Sequence, residues 1–326
     1  GGDGVDTLTI GGDISSYTQF GGVSNIEVIA PAGAHNITAN GALGDATTFS
    51  LANGGQNLLT LSAGWTADTT VLITGDATNN DSIVNSANVN LTVKGNADDF
   101  DTNTTITGGT GTDELLVTAD AGTATLANVT NVEKVTIVDA VTAGTGVTVV
   151  PNLTTTKAQS IDGSELDGST QNDEVLTVSG DGAAGTLDVL GGGGQDALTG
   201  GTKNDTIDGA GGQDAIDGKG GADHISGGAA NDTITIGSKT EFTSTVGTDT
   251  IDGGAGVDTI TWTGAMNMEA ASLSTISNTE VWSIAAGSDF TISDAVLTNN
   301  PGVTFVFGGA GTLSGGEDTA GAALMT

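Results

Sequence analysis

Between Gly191 and Thr235 five nine-residue units follow one another without a gap: GGGGQDALT, GGTKNDTID, GAGGQDAID, GKGGADHIS and GGAANDTIT. Each opens with Gly, carries Asp at its sixth place and puts Leu or Ile at its eighth. A unit this short offers one large apolar side chain and cannot bury it alone, so copies must stack into a solenoid with a shared interior. Gly at places one, two and four lets the backbone take positive φ and turn tightly. The closing residues then form a very short strand whose eighth-place side chain points inward. Two units make one flattened coil, and coils stack at about 4.8 Å. This register predicts that Leu198, Ile207, Ile216, Ile225 and Ile234 form two interior ladders. It also places Asp196, Asp214 and Asp232 along one edge, and Asp205 and Asp223 along the other.

Carboxylates held about 5 Å apart repel appreciably at low effective dielectric. A hard dication ligated by those carboxylates and by turn carbonyls removes the repulsion, and oxygen-only ligation favours calcium over zinc. With one site between units two apart, the five units offer three sites. Extracellular calcium modules bind with dissociation constants of ~10⁻⁴ to 10⁻³ M. At a hundredfold ion excess each site adds about 2.7 kcal/mol, so three add roughly 8 kcal/mol. That is comparable to a domain's whole net stability of about 5–15 kcal/mol. The segment is expected to be unfolded without calcium.

The chain has 326 residues, with 40 acidic side chains against six Lys and no Arg, for a net charge of −34. Phosphate neutralisation needs Lys and Arg, which excludes nucleic acid as a partner and disfavours anionic membrane surfaces. Bound divalent ions are the natural counter-charge. There is no Cys, so a secreted protein of this kind needs a staple other than disulfides, and calcium fits. No apolar run approaches the ~20 residues of a membrane span. The opening GGDGVDTLTI has neither an initiator Met nor a signal-peptide pattern and starts inside a motif, so a fragment or processed product is expected, with any anchor or export signal elsewhere.

Strand signals dominate the rest. NLLTLS (57–62), TVLIT (70–74), NVNLTVK (88–94), ELLVT (114–118), VEKVTIV (132–138), EVLTV (174–178) and VTFVF (303–307) are short and β-rich, separated by Gly, Asn, Asp and Thr. Val89, Leu91 and Val93 alternate with polar neighbours. One helix is expected, AMNMEAASL (265–273). Single nonapeptides recur at GGDGVDTLT (1–9), GGTGTDELL (108–116) and GGAGVDTIT (253–261). About twenty residues after the Asp of each comes a second signature: SNIEVI (24–29), TNVEKV (130–135) and SNTEVW (277–282). This predicts β-rich modules at 1–107, 108–190 and 253–326, with the tandem array and its tail at 191–252. Within that tail IGSKTEFT (236–243) lacks the Asp but can fill a half-coil, letting STVGTDTID (244–252) stack beneath the array.

These residues resemble the RTX calcium-binding family. The resemblance implies an all-β, right-handed parallel β-solenoid or β-roll with calcium-binding turns, flanked by further β-helical or β-rich modules. It also implies type I export and folding on meeting extracellular calcium. Carried over place by place, Asp196, Asp205, Asp214, Asp223 and Asp232 are ligands, as are Asp6, Asp113, Asp249 and Asp258. The departures are Lys203 and Ala230 at the fourth place, and Ala210 and Lys219 at the second. Glu27, Glu133 and Glu280 are either further ligands or hydrogen-bonded corners. The acidic stretch DGSELDGSTQNDE (162–174) fits no ligand spacing and reads as a solvated loop. His35 and His224 read as surface residues, and Trp65, Trp262 and Trp282 as core or cap residues.

Some relatives in this family are proteases, lipases and epimerases, yet the chain has no HExxH, no G-x-S-x-G and no Cys/His pair. An RTX-linked polysaccharide-acting enzyme with paired carboxylates is the remaining enzymatic alternative, but Arg to hold an acidic substrate is absent, and no catalytic site is expected. Ice binding needs a regular Thr-x-Asn rank, and only Thr202 and Asn204 make that pairing in the array. The Thr-, Ala- and Gly-rich, Cys-free, Arg-free composition is similar to Gram-negative RTX surface-layer proteins. That resemblance implies a self-associating lattice at the bacterial cell surface, held to surface polysaccharide through a region outside this chain. The second reading is a stalk segment of a large calcium-dependent RTX adhesin.

Overall fold

The structure, a computed structural model, describes residues 3–14, 25–40, 47–51, 55–73, 80–139, 146–152, 157–167, 174–242 and 248–315. The chain forms two compact units, one of Gly1–Val141 and Val147–Ile161, the other of Thr142–Gly146 and Asp162–Thr326. In each, short strands pair in parallel with the strand one coil further on, which is a parallel β-solenoid.

In the first unit Ile29, Phe49, Val71, Val93, Leu115 and Val135 are successive partners and form one interior ladder. Ile37, Leu59, Ile83, Ile106 and Val129 form a second. The alternation read at residues 89–93 is the burial pattern found, with Val89, Leu91 and Val93 inside. Such alternation positions the chain because a slip of one residue would turn every apolar side chain outward. The predicted segment 114–118 is the strand Glu114–Thr118, and 132–138 contains Lys134–Val138. Trp65 lies against Phe49 with ring centroids 5.9 Å apart, and its Nε1–H donates to Thr69 Oγ1 at 2.7 Å.

In the second unit the nonapeptides stack in the register their spacing dictates. Leu198, Ile216 and Ile234 are partners on one face, and Ile207 and Ile225 on the other. Each step is 18 residues, so two units make one coil. The first ladder continues through Ile260, Trp282 and Phe305, the second through Ile251 and Ile276. Of the segment 244–252, residues 244–247 lie outside the described residues; the rest stacks beneath the array through Ile251, and the strand Thr250–Ala255 runs across residue 252 without a break. Beyond it a third ladder of Asn267–Met268, Asp289–Ile292 and Thr312–Gly315 widens the coils. Aromatic rings fill the added interior: Trp262 lies 5.8 Å from Trp282 and 5.0 Å from Phe290.

The helix expected over 265–273 does not form. Met266 and Met268 are both buried and Asn267 is not, a period of two that a helix cannot deliver, and Asn267–Met268 is a strand paired with Asp289–Phe290. Among the described residues the α-helix is Asp294–Asn299, whose N-cap Ser293 accepts a hydrogen bond from the Val296 N–H at 3.5 Å. His224 is exposed, and His35 is partly exposed with Nδ1 3.5 Å from Asp13 Oδ1.

Candidate calcium sites in the turns

Each sixth-place Asp lies just before a strand, where its main chain is already in ladder register. Its carboxylate therefore meets the N–H of its counterpart one coil earlier. Asp196 N–H donates to Asp214 Oδ1 at 2.7 Å, Asp214 N–H to Asp232 Oδ1 at 2.8 Å, and Asp232 N–H to Asp258 Oδ1 at 2.8 Å. On the other edge Asp205 N–H donates to Asp223 Oδ1 and Asp223 N–H to Asp249 Oδ1, each at 2.8 Å. Both predicted edges are present, and each is extended by one residue: Asp258 from the copy at 253–261, and Asp249 from the segment expected to stack beneath the array. All seven carboxylates are at most 2% exposed.

Among the described residues no Lys or His forms an ion pair with any of the seven; the pairs there include His35–Asp13, Lys134–Glu114 and Lys219–Asp217. Burial pushes Asp214 up to about 8, with the charges of Asp196, Asp232 and Asp208 adding to it against the opposing Asp196 N–H. Burial likewise takes Asp223 and Asp249 to about 7 and Asp232 to about 6. Asp196, Asp205 and Asp258 are raised for the same first reason.

Oδ2 of Asp214, Asp223, Asp232 and Asp258 is buried with no hydrogen-bond partner. An orphaned buried carboxylate oxygen is costly unless a cation meets it. Main-chain carbonyls crowd the same crease. A Cβ on Gly227 would collide with the Gly253 carbonyl oxygen and lie 2.6 Å from Asp232 Oδ2, which is why the first place must be Gly. Among the described residues no three Asp, Glu or His side chains converge on one point. A cation here must therefore combine carboxylate and carbonyl oxygens, the hard donor set that calcium takes. The residues present fit that ion.

The isolated copies differ. Asp113 is fully buried and stacked like an array Asp, accepting from the Leu91 and Gly109 N–H groups at 2.8 Å each, and burial raises its pKa. Asp6 is only partly buried. The second signature resolves into one repeated corner. The N–H of Asp6, Asp113 and Asp258 donates to Oε2 of Glu27, Glu133 and Glu280 at 2.8, 2.9 and 2.8 Å. Two residues earlier Asn25, Asn131 and Asn278 each hold positive φ, at 53°, 55° and 50°. In these corners Glu takes the place that the next Asp fills in the array.

Among the described residues Asp81, Asp99, Glu174 and Glu241 are buried carboxylates that the repeat pattern does not mark, and Glu174 ends a stretch expected to be solvated. Asp81 is 1% exposed, and its Oδ1 accepts from the Asn57 N–H and Nδ2 at 2.9 and 3.1 Å, while its Oδ2 has no partner. The Asp-x-Ile of Asp81, Ser82 and Ile83 was the available signal, without the glycines. Glu241 lies in the 3₁₀ helix Lys239–Phe242, and burial together with Asp249 pushes it up to about 8. The segment without a sixth-place Asp thus still supplies a carboxylate. In the acidic stretch 162–174, residues 168–173 lie outside the described residues.

The family model of the RTX calcium-binding nonapeptide repeat (4 copies) matches residues 190–225, 214–238 and 243–261. Neither the curated proteins nor the solved structures give a match. The three matched segments cover the stacked turns from Asp196 to Asp258 and end before the Glu280 corner. Residues 190–238 and 243–261 are thus RTX calcium-binding nonapeptide repeats by their match, and the described residues among them wind into a parallel β-solenoid.

Proposed function

We propose that the chain is a structural protein of the bacterial cell exterior, of surface-layer type, in which calcium stiffens the solenoid and drives copies to tile into a lattice. The observation that carries this reading is the pair of buried carboxylate stacks, met by no cationic side chain among the described residues, in a chain of net charge −34. A thin solenoid of that charge repels itself and its copies until dications neutralise it. Among the described residues no helix is long and apolar enough to cross a membrane, in keeping with attachment from outside. On this reading the main partner is a second copy, surface polysaccharide is held by a region beyond this chain, and the chain does no catalysis. Calcium meets the protein after export, so folding and assembly are confined to the exterior.

Negative-stain microscopy of the purified chain tests this. Ordered sheets that form with calcium and disperse on chelation support the lattice. Isolated rods in calcium support the adhesin stalk instead. Sheets that persist in chelator remove calcium from the assembly mechanism.

A further inference from the structure

The array's turns are not equivalent. In the turns 191–196 and 200–205, the second-place N–H closes back on the sixth-place carboxylate: Gly192 N–H donates to Asp196 Oδ2 at 2.7 Å and Gly201 N–H to Asp205 Oδ2 at 2.5 Å. The isolated turn ending at Asp113 does the same through Gly109. Oδ1 of these residues accepts from the coil before, from Leu176, Leu187 and Leu91 respectively. Both carboxylate oxygens are thus satisfied by main-chain donors.

In the turns ending at Asp214, Asp223, Asp232 and Asp258 the second place has positive φ: Ala210 at 67°, Lys219 at 68°, Gly228 at 105° and Gly254 at 98°. The fourth place has it too, at Gly212, Gly221, Ala230 and Gly256. No second- or fourth-place residue of the closed turns does. The flipped second-place N–H points elsewhere. Ala210, Lys219 and Gly254 donate to Oδ1 of Asp208, Asp217 and Asp252, the ninth-place residue just before each turn, at 3.0, 3.0 and 3.1 Å. The closed turns follow Leu190, Thr199 and Thr107, none of which is an Asp. Non-Gly residues rarely hold such φ, and where they do the surroundings impose it.

Resting on the reading that these repeats bind calcium, we infer that the four open turns, ending at Asp214, Asp223, Asp232 and Asp258, are the tight calcium sites, while the closed turns at Asp113, Asp196 and Asp205 are hydrogen-bonded corners that hold no tight ion. In three of the four open turns Asp208, Asp217 and Asp252 are positioning residues: by taking the second-place N–H they leave one buried carboxylate oxygen for the metal, whereas the open turn ending at Asp232 follows Ser226. Lys203 then occupies the fourth place of a closed turn, where positive φ is not required. The open turns depend on oxygen left without a donor, and a dication is the partner that their burial admits.

Equilibrium dialysis of the full chain with radioactive calcium counts bound ions, with circular dichroism at saturating calcium to confirm folding. Asp214→Asn and Asp223→Asn are each expected to bind one tight ion fewer than the parent, whereas Asp196→Asn and Asp205→Asn bind as many. Equal losses from Asp196→Asn or Asp205→Asn overturn the division of turns. A parent chain that binds no calcium overturns the calcium reading itself, so the two failures are distinct. If the ligand variants do not fold, the pair at position 208 decides, because it leaves every sixth-place carboxylate intact. Asp208→Ala is expected to weaken one site about tenfold, and Asp208→Asn, which keeps an acceptor for the Ala210 N–H, to restore most of it. Unchanged affinity in Asp208→Ala overturns the proposal.

Discussion

The N–H of Asp113 donates to Oε2 of Glu133 at 2.9 Å, and the Glu133 N–H returns the contact to the Asp113 carbonyl at 3.1 Å. The same pair of bonds joins Asp258 to Glu280 and Asp6 to Glu27. A motif and a second signature about twenty residues later are therefore the two halves of one corner, closed across adjacent coils. Glu133→Ala should lower stability in saturating calcium by about 1–3 kcal/mol, because a buried N–H loses its acceptor. Glu133→Gln, which still accepts, should cost less than half as much. Denaturant unfolding of both variants checks this, and equal losses would show that charge, not acceptance, matters.

Near pH 8 a chelator should abolish the β signal of the array. Each occupied site adds about 2.7 kcal/mol at a hundredfold ion excess, and a few such sites equal a domain's net stability of about 5–15 kcal/mol. A circular-dichroism titration with chelator reads the loss. An unchanged spectrum would mean that the coils cohere without metal.

Lowering the pH should partly rescue the chelated chain. The folded, ion-free Asp214 titrates at about 8 and Asp223 at about 7, against 3.8 for an ordinary Asp. Between those values the folded state holds more protons than the unfolded one, so stability falls as pH rises. This contribution is fully present below about pH 4 and is lost as pH passes the range of about 6 to 8 set by Asp232, Asp223 and Asp214. In chelator the melting temperature should be higher at about pH 5 than at about pH 8. In calcium the order should reverse, since protons compete with the ion for the same oxygens. Melting curves at both pH values with and without chelator settle the sign.

Ile216 sits between Leu198 and Ile234 in the interior ladder and is 1% exposed. Ile216→Ala should cost about 2–5 kcal/mol, the range for a truncated core side chain. His224, exposed at the seventh place of its unit, should tolerate Ala within about 0.5 kcal/mol. Unfolding in saturating calcium separates the two, and similar costs would place the cohesion of the stack outside its apolar ladders.

The periodicity of the array was enough to state which side chains meet. A nonapeptide with one inward residue admits a single stacking register, so Leu198 had to face Ile216 and Asp196 had to lie over Asp214. Spacing also placed Asp249 and Ile251 in the stack, because Asp-x-Ile recurs there. The error at 265–273 arose where nothing repeats: Met and Ala favour a helix locally, and only pairing with Asp289–Phe290 made Asn267–Met268 a strand, with turn following at 270–273.

What one dimension could not carry is which donor each carboxylate oxygen meets. Asp196 and Asp214 occupy the same place in the repeat, yet the first has both oxygens bonded and the second keeps one bare. The difference lies in a peptide rotation at residue 210, held by Asp208 and set against the coil before. Composition and period determine that a carboxylate stack exists; the fold decides which of its members need a metal, since that depends on backbone dihedrals that only packed coils define.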